Sequence, residues 1–349
     1  MLEQRKRDHL HICLQEDVEF QELTPGFECY RLEHQALPDL SPEEIDLGVS
    51  FLGRRLRAPV VISAMTGGTP LAGEINRHLA AAAEALGLAM GVGSQRAAIE
   101  DAGLAATYQV RDVAPHIVLL ANLGAVQLNY GYGLDECRRA VEMIEADALV
   151  LHLNPVQEYL QSEGNRDFDG LLPRIEAIAR RLEVPVIVKE VGWGLSPQVV
   201  RALFAAGVPG VVVAGAGGTS RSRVEKYRSP GGLTWQLART FDAWGLPTAE
   251  AIRAARAVAG EEALIIGSGG VRDGLQAAKA LALGANLVGL ALPLLRPATV
   301  SAEAVAERLE LLVQELRLAA FATGSRTVEA LRRTRVLPAA PCERRPQEA

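Results

Sequence analysis

Eight short apolar runs recur along the chain, at Pro59–Met65, Ala89–Gly93, Ile117–Leu123, Ala148–Asn154, Pro185–Val191, Gly210–Gly215, Ala263–Gly269 and Asn286–Leu292. Their Val, Ile and Leu content is continuous instead of alternating, the pattern of strands covered on both faces of a parallel sheet. Between them lie segments of helical period, including Glu74–Leu86, Leu134–Glu145, Gly170–Leu182, Pro197–Ala206 and Gly274–Leu283. Gly87, Gly207 and Gly284 supply helix C-cap chemistry just before the next run. Successive runs begin 23 to 37 residues apart, except across the interval from Gly210 to Ala263. Eight strand–helix units in series predict an α/β fold, a (β/α)8 TIM barrel.

The exceptional interval places an insertion at about 216–247, after strand six, rich in Arg, Ser and Gly. That is the face on which barrel active sites form. Residues 1–58 read as an N-terminal arm and lead-in with no strong period, 59–325 as the barrel, and 326–349 as a C-terminal tail. A long polar arm either frays or packs on a functional face.

Composition narrows the class. The chain has 349 residues, 49% apolar and 22% charged, which is enough to bury a large core without a disulfide or metal staple. A net charge of −6 argues against a broad nucleic-acid footprint. Cys13, Cys29, Cys137 and Cys342 form no CxxC pair or metal spacing and read as thiols of a reducing compartment. The uncharged stretches Ala202–Ser220 and Ala280–Leu295 are broken by glycine or too short to span a bilayer, and no apolar leader follows Arg5-Lys6-Arg7. The expectation is a soluble, cytoplasmic protein without nucleic-acid or membrane partners.

Polar and glycine-rich clusters fall at the carboxyl ends of the predicted strands: Met65-Thr66-Gly67-Gly68, Gly93-Ser94-Gln95-Arg96, Asn122, His152-Leu153-Asn154, Lys189, Gly217-Gly218-Thr219-Ser220 and Gly267-Ser268-Gly269-Gly270. One cluster would be ordinary turn chemistry, but seven around one ring describe a catalytic rim. Ser268-Gly269-Gly270-Val271 opens a helix, and with the strand end Gly289–Pro293 it occupies the standard phosphate position of such barrels. Lys189 closes an apolar strand and, aimed into the mouth, would stabilise negative charge; the alternative is a lysine pointing to water. Glu158 has the character of a Mg²⁺ ligand beside phosphate, or of a solvated loop carboxylate. Arg5, Lys6 and His9 read as a phosphate clamp or as a basic start.

Together these residues resemble the type 2 isopentenyl diphosphate isomerase family, flavoproteins that use FMN in a reaction with no net redox change. The likeness runs from Arg5-Lys6-Arg7-Asp8-His9-Leu10 to about Pro293. Its most specific parts are the arm and His152-Leu153-Asn154 with Gln157-Glu158. The resemblance implies that Ala64, Met65, Thr66, Ser94, Asn122, Lys189 and Thr219 line the flavin, and that Gly269, Gly270, Val271, Ala291 and Leu292 hold its phosphate. It implies that Arg5, Lys6, His9, Gln95, Arg96, Asn154 and Gln157 meet the substrate, isopentenyl or dimethylallyl diphosphate. Gln157, Lys189 and His152 would be catalytic and Glu158 would bind Mg²⁺, with NADPH reducing the flavin. A homo-oligomer, tetramer or octamer, is also implied, with the arm folding over a barrel mouth, that of a neighbouring subunit. One departure is visible: the family follows Gly-Gly-Thr-Ser with Trp, and here the residue is Arg221. The aromatic wall near the prenyl tail is then missing or supplied by Trp235 or Trp193. The alternatives are an FMN-dependent oxidoreductase of the 2-hydroxy acid oxidase type and a non-catalytic FMN-binding barrel.

Overall fold

The computed structural model describes residues 2–229 and 231–339. Eight parallel strands close a barrel: β1 (Val60–Ile62), β2 (Ala89–Gly91), β3 (Leu119–Gly124), β4 (Ala148–Leu153), β5 (Val186–Glu190), β6 (Gly210–Val212), β7 (Leu264–Ser268) and β8 (Leu287–Leu290). β8 pairs back onto β1 through Val288↔Val60 and Leu290↔Ile62, so no edge is left. The strands sit where the continuous apolar runs predict them, and a helix follows each along most of the circuit. The helix Pro70–Leu86 begins four residues earlier than its periodicity suggests. Thr69 accepts a hydrogen bond from the Ala72 amide at 3.2 Å and so caps a start at Pro70.

The barrel interior is layered by strand alternation. Val61, Ala89, Leu120, Val150, Ile187, Val212, Ile266 and Leu287, one from each strand, share a single buried cluster. The hairpin of Val49–Phe51 and Arg54–Leu56 plugs it from below with Phe51 and Leu56. Two residues on from three of these positions stand Asn122, His152 and Lys189, which therefore point the same way at the open, carboxyl end. The apolar layer closes one end of the barrel and leaves the other for chemistry.

Residues outside the barrel are also ordered by it. The arm is a helix, Leu2–Gln15, laid across the barrel mouth. The insertion folds as two helices, Arg221–Arg228 and Gly232–Thr240. Within the segment read as a tail, Val328–Arg332 is helical and Val336–Pro338 pairs antiparallel with Tyr30–Leu32. Cys342 and the rest of 340–349 lie outside the described residues.

Truncating the plug tests the layering. Phe51→Ala should cost about 3–5 kcal/mol, the usual range for a buried phenylalanine, and appear as a lower melting temperature. The residues of the opposite end should keep their ligand affinity, and a melting temperature equal to that of the parent would remove Phe51 from the core.

Candidate functional site: a cationic barrel mouth

The mouth is an open cavity enclosing about 1290 Å³ of space, solvent included. Its wall includes Arg5, Lys6, His9, Ala64, Met65, Thr66, Ser94, Arg96, Asn122, His152, Asn154, Gln157, Glu158, Lys189, Thr219, Ala291 and Leu292. Seventeen separate sequence expectations thus converge on one cavity. The lining carries Arg5, Lys6, Arg96, Lys189 and Arg221 against a single carboxylate, Glu158, so the cavity is built to receive an anion.

Burial and this crowd of cations fix the protonation states. His152 is pushed down to about 3, first by burial and then by Lys189, Arg221 and Lys6, so its imidazole is neutral. Its Nδ1 lies 3.0 Å from Asn122 Oδ1. The neutral ring donates there, which leaves Nε2 as an acceptor. Burial also lowers Lys189 to about 8, opposed by Glu190, while the ammonium donates to the Glu190 carbonyl at 2.6 Å. Burial raises the Glu190 carboxyl to about 7, against the pull of amides from the turn that follows. Its Oε2 accepts from the amides of Val191, Gly192, Trp193 and Gly194 and so shapes the turn after β5.

The arm is tied down through buried polar contacts. Lys6 Nζ donates to the Ser94 carbonyl at 2.7 Å and to the Tyr108 hydroxyl at 2.5 Å, and burial with the nearby Arg5 lowers it to about 7. Arg5 donates to Gln161 Oε1 at 2.9 Å. The organising group is one that sequence reasoning missed. Glu225, on the insertion helix, is 1% exposed, and its Oε1 is 2.9 Å from His9 Nε2 while accepting from Gln157 and Gln161 at 3.2 and 2.6 Å. Burial would raise this carboxyl, but His9, Gln161 and Arg228 outweigh it and hold it at about 2. One charge therefore joins the arm, the loop after β4 and the insertion. Nothing in the run Arg221-Ser222-Arg223-Val224-Glu225 marks it, because apart from Arg228 its partners lie 64 residues away and more.

Some expectations are placed elsewhere. Gln95 is fully buried and does not line the cavity; its Nε2 donates to the Ala140 carbonyl at 2.7 Å and its Oε1 accepts from the Asn122 amide at 2.9 Å. From there its amide ties the start of the helix after β2 to β3. Gly269, Gly270 and Val271 sit behind the cavity wall, packed on the loop after β6. A Cβ on Gly218 would fall 2.3 Å from the Gly270 amide nitrogen, so only glycine permits these two loops to touch. Neither proposed tryptophan lines the cavity: Trp193 packs with Phe20 and Ala216, and Trp235 lies between Lys226 and Arg239. Arg221 stands at that wall instead.

Two fits can be tested on the protein itself. The Ser268 hydroxyl is buried at the end of β7 with no hydrogen-bond partner, and Ala291 and Leu292 open the neighbouring corner to the cavity. An unsatisfied buried donor beside glycine backbone suits a phosphate. At Glu158, one oxygen accepts from Asn154 Nδ2 at 2.9 Å and the other from the Asn165 amide at 2.6 Å, while Asn154 Oδ1 is buried without a partner. A carboxylate with an adjacent orphan carbonyl oxygen suits a hard divalent cation completed by ligand oxygens.

Comparison with known proteins agrees with this geometry. The FMN-dependent dehydrogenase family matches over residues 1–114 and 140–338. Proteins named isopentenyl-diphosphate delta-isomerase are 50% identical in Nostoc sp., covering 94% of this chain and 93% of that protein, and 52% identical in Stutzerimonas stutzeri, covering 97% and 98%. One from Synechococcus sp. is 53% identical, covering 96% of each. Among solved structures, mandelate oxidase with 3,3-difluoro-2-hydroxy-3-phenylpropionic acid has a TM-score of 0.66 at 19% identity over 97% of this chain and 98% of that one. Mandelate oxidase with (S)-2-phenylpropionate has a TM-score of 0.66 at 20% identity over 97% of each, and this likeness concerns the fold alone. With a relative half identical over nearly its whole length, the chain belongs to the FMN-dependent dehydrogenase family and, within it, to the isopentenyl-diphosphate delta-isomerases.

Proposed function

We propose that this isomerase interconverts isopentenyl and dimethylallyl diphosphate, adding a proton at the terminal methylene carbon and removing one from C2. The observation that carries the reading is the mouth itself, where five cations and one carboxylate surround a neutral histidine on a barrel of this family. FMN, bound in its reduced form with NADPH as reductant, would supply negative charge beside the alkene and a site for proton transfer.

The chain's own groups then divide the work. Lys189 is the cation that supports negative charge at the barrel floor. Ala64, Met65, Thr66, Ser94, Asn122 and Thr219 would border the flavin ring, with Ser268, Ala291, Leu292 and the backbone of Gly269, Gly270 and Val271 toward its phosphate. His152 presents Nε2 as an acceptor and orients its neighbours without carrying charge. Gln157 is held at its Nε2 by Glu225, which leaves its carbonyl oxygen to face substrate or water. Glu158 with Asn154 would hold Mg²⁺ against the diphosphate, and Arg5, Lys6, His9 and Arg96 would close over it. A tetramer or octamer rests on the resemblance and a cytoplasmic location on composition; among the described residues no helix is long and apolar enough to cross a membrane.

Incubating the purified protein with FMN, Mg²⁺, NADPH and isopentenyl diphosphate should yield dimethylallyl diphosphate with no stoichiometric consumption of NADPH. Flavin-loaded, reduced protein that gives no product, or that instead oxidises a 2-hydroxy acid, would refute the reading. Glu158→Gln should leave flavin content unchanged and weaken the response to Mg²⁺ by roughly 30-fold, or about 2 kcal/mol. An unaltered Mg²⁺ titration would return Glu158 to a loop-bracing role.

Arm closure should depend on pH through Lys6. Its folded value of about 7 lies below that of an unfolded chain, so the docked arm disfavours protonation. Docking is therefore strongest at high pH, weakens as pH falls below 10.5, and reaches its floor near 7. Hydrogen exchange of arm amides, corrected for intrinsic rate, should show more protection at pH 9 than at pH 7, by up to about tenfold per pH unit. His9 is lowered from 6.5 and stays neutral throughout that window. Equal protection at both pH values would mean that Lys6 docks as freely charged as neutral.

A further inference from the structure

Four of the five cations that line the cavity already have partners. Arg5 donates to Gln161, Lys6 to the Ser94 carbonyl, Arg96 to Glu100 and Asn165, and Lys189 to the Glu190 carbonyl. Arg221 does not: among the described residues its half-buried guanidinium has no hydrogen-bond or ion-pair partner. Among the described residues, the two carboxylates at this part of the mouth are already engaged. Glu225, one turn along the same helix, is already taken up by His9, Gln157, Gln161 and Arg228, and both oxygens of Glu158 accept from Asn154 and Asn165. Five planar N–H donors with no partner in the chain form a ready fork for a ligand anion. Arg221 lines the same cavity as Lys189, His152 and His9.

We infer that Arg221 is a binding residue for the phosphate oxygens of the substrate, engaging them through its guanidinium fork. The identity of that anion as an alkyl diphosphate rests on the isomerisation reading; the need for an anion does not. A fixed guanidinium beside the reacting carbons would oppose a cationic transition state, which puts its place at the phosphate end.

The test uses the full-length, flavin-loaded protein titrated with inorganic pyrophosphate by calorimetry at fixed ionic strength. Arg221→Gln should weaken pyrophosphate binding about tenfold or more, and Arg221→Lys should recover part of the loss because it keeps the charge without the fork. KM for isopentenyl diphosphate should rise in parallel while kcat stays within about twofold, and circular dichroism should show both variants folded. Unchanged pyrophosphate affinity in Arg221→Gln, or a loss that lysine does not relieve at all, overturns the inference. A protein that isomerises normally while its pyrophosphate binding ignores Arg221 defeats only this inference. One that fails to isomerise yet binds pyrophosphate through Arg221 defeats only the isomerisation reading and upholds the anion site.

Discussion

The side-chain period of two along a closed parallel strand governs everything else in this molecule. Once Leu120, Val150 and Ile187 face inward to make the apolar plug, Asn122, His152 and Lys189 have no choice but to face inward above it. Register then sets them side by side, with His152 opposite Lys189 on the neighbouring strand. A shift of one residue in β5 would turn Lys189 toward the helical layer and Val188 toward the cavity. The chemistry is thus a by-product of the same alternation that makes the core.

A ring of cations at the mouth creates the second constraint. Like charges at close quarters raise the free energy of the empty site, and the protein moderates this by lowering the proton affinity of Lys6, His152 and Lys189 instead of by adding carboxylates to the wall. Glu225 is placed one layer back, where it neutralises Arg228 and binds the arm without reaching into the cavity as a competitor for the ligand. Positive potential is retained for an incoming anion while the scaffold that holds it stays electrically satisfied.

The barrel was legible in the sequence because buried parallel strands leave continuous apolar runs, and the rim because most of these runs close on polar or glycine residues. The family motifs located seventeen residues of the wall. What escaped was long-range and polar. Gln95 sits in a motif with Ser94 and Arg96, yet helical and strand geometry turn its amide back onto Ala140 and Asn122. Glu225 looks like any surface helix glutamate until the arm and the loop after β4 arrive from far along the chain. The helical arm was unreadable because Leu2–Gln15 carries little amphipathic pattern of its own and owes its order to the mouth beneath it.

The lead-in that follows the arm laces across loops made much later in the chain. The Phe20 amide bonds the Gly218 carbonyl, the Ser220 amide bonds the Val18 carbonyl, and Glu19 pairs with Arg272 at 2.7 Å, 253 residues away. On a ribosome making about 5–20 residues per second, this segment waits on the order of 10–50 s for its partners. During that time Val18 and Phe20, buried in the finished protein, are apolar side chains with nowhere to go. The first residues synthesised must therefore be among the last to dock, and the mouth can be roofed only after β7 and its loop have emerged. Assembly of the site is a late event in the life of the chain, with a built-in interval in which its N-terminus is the part most in need of a chaperone.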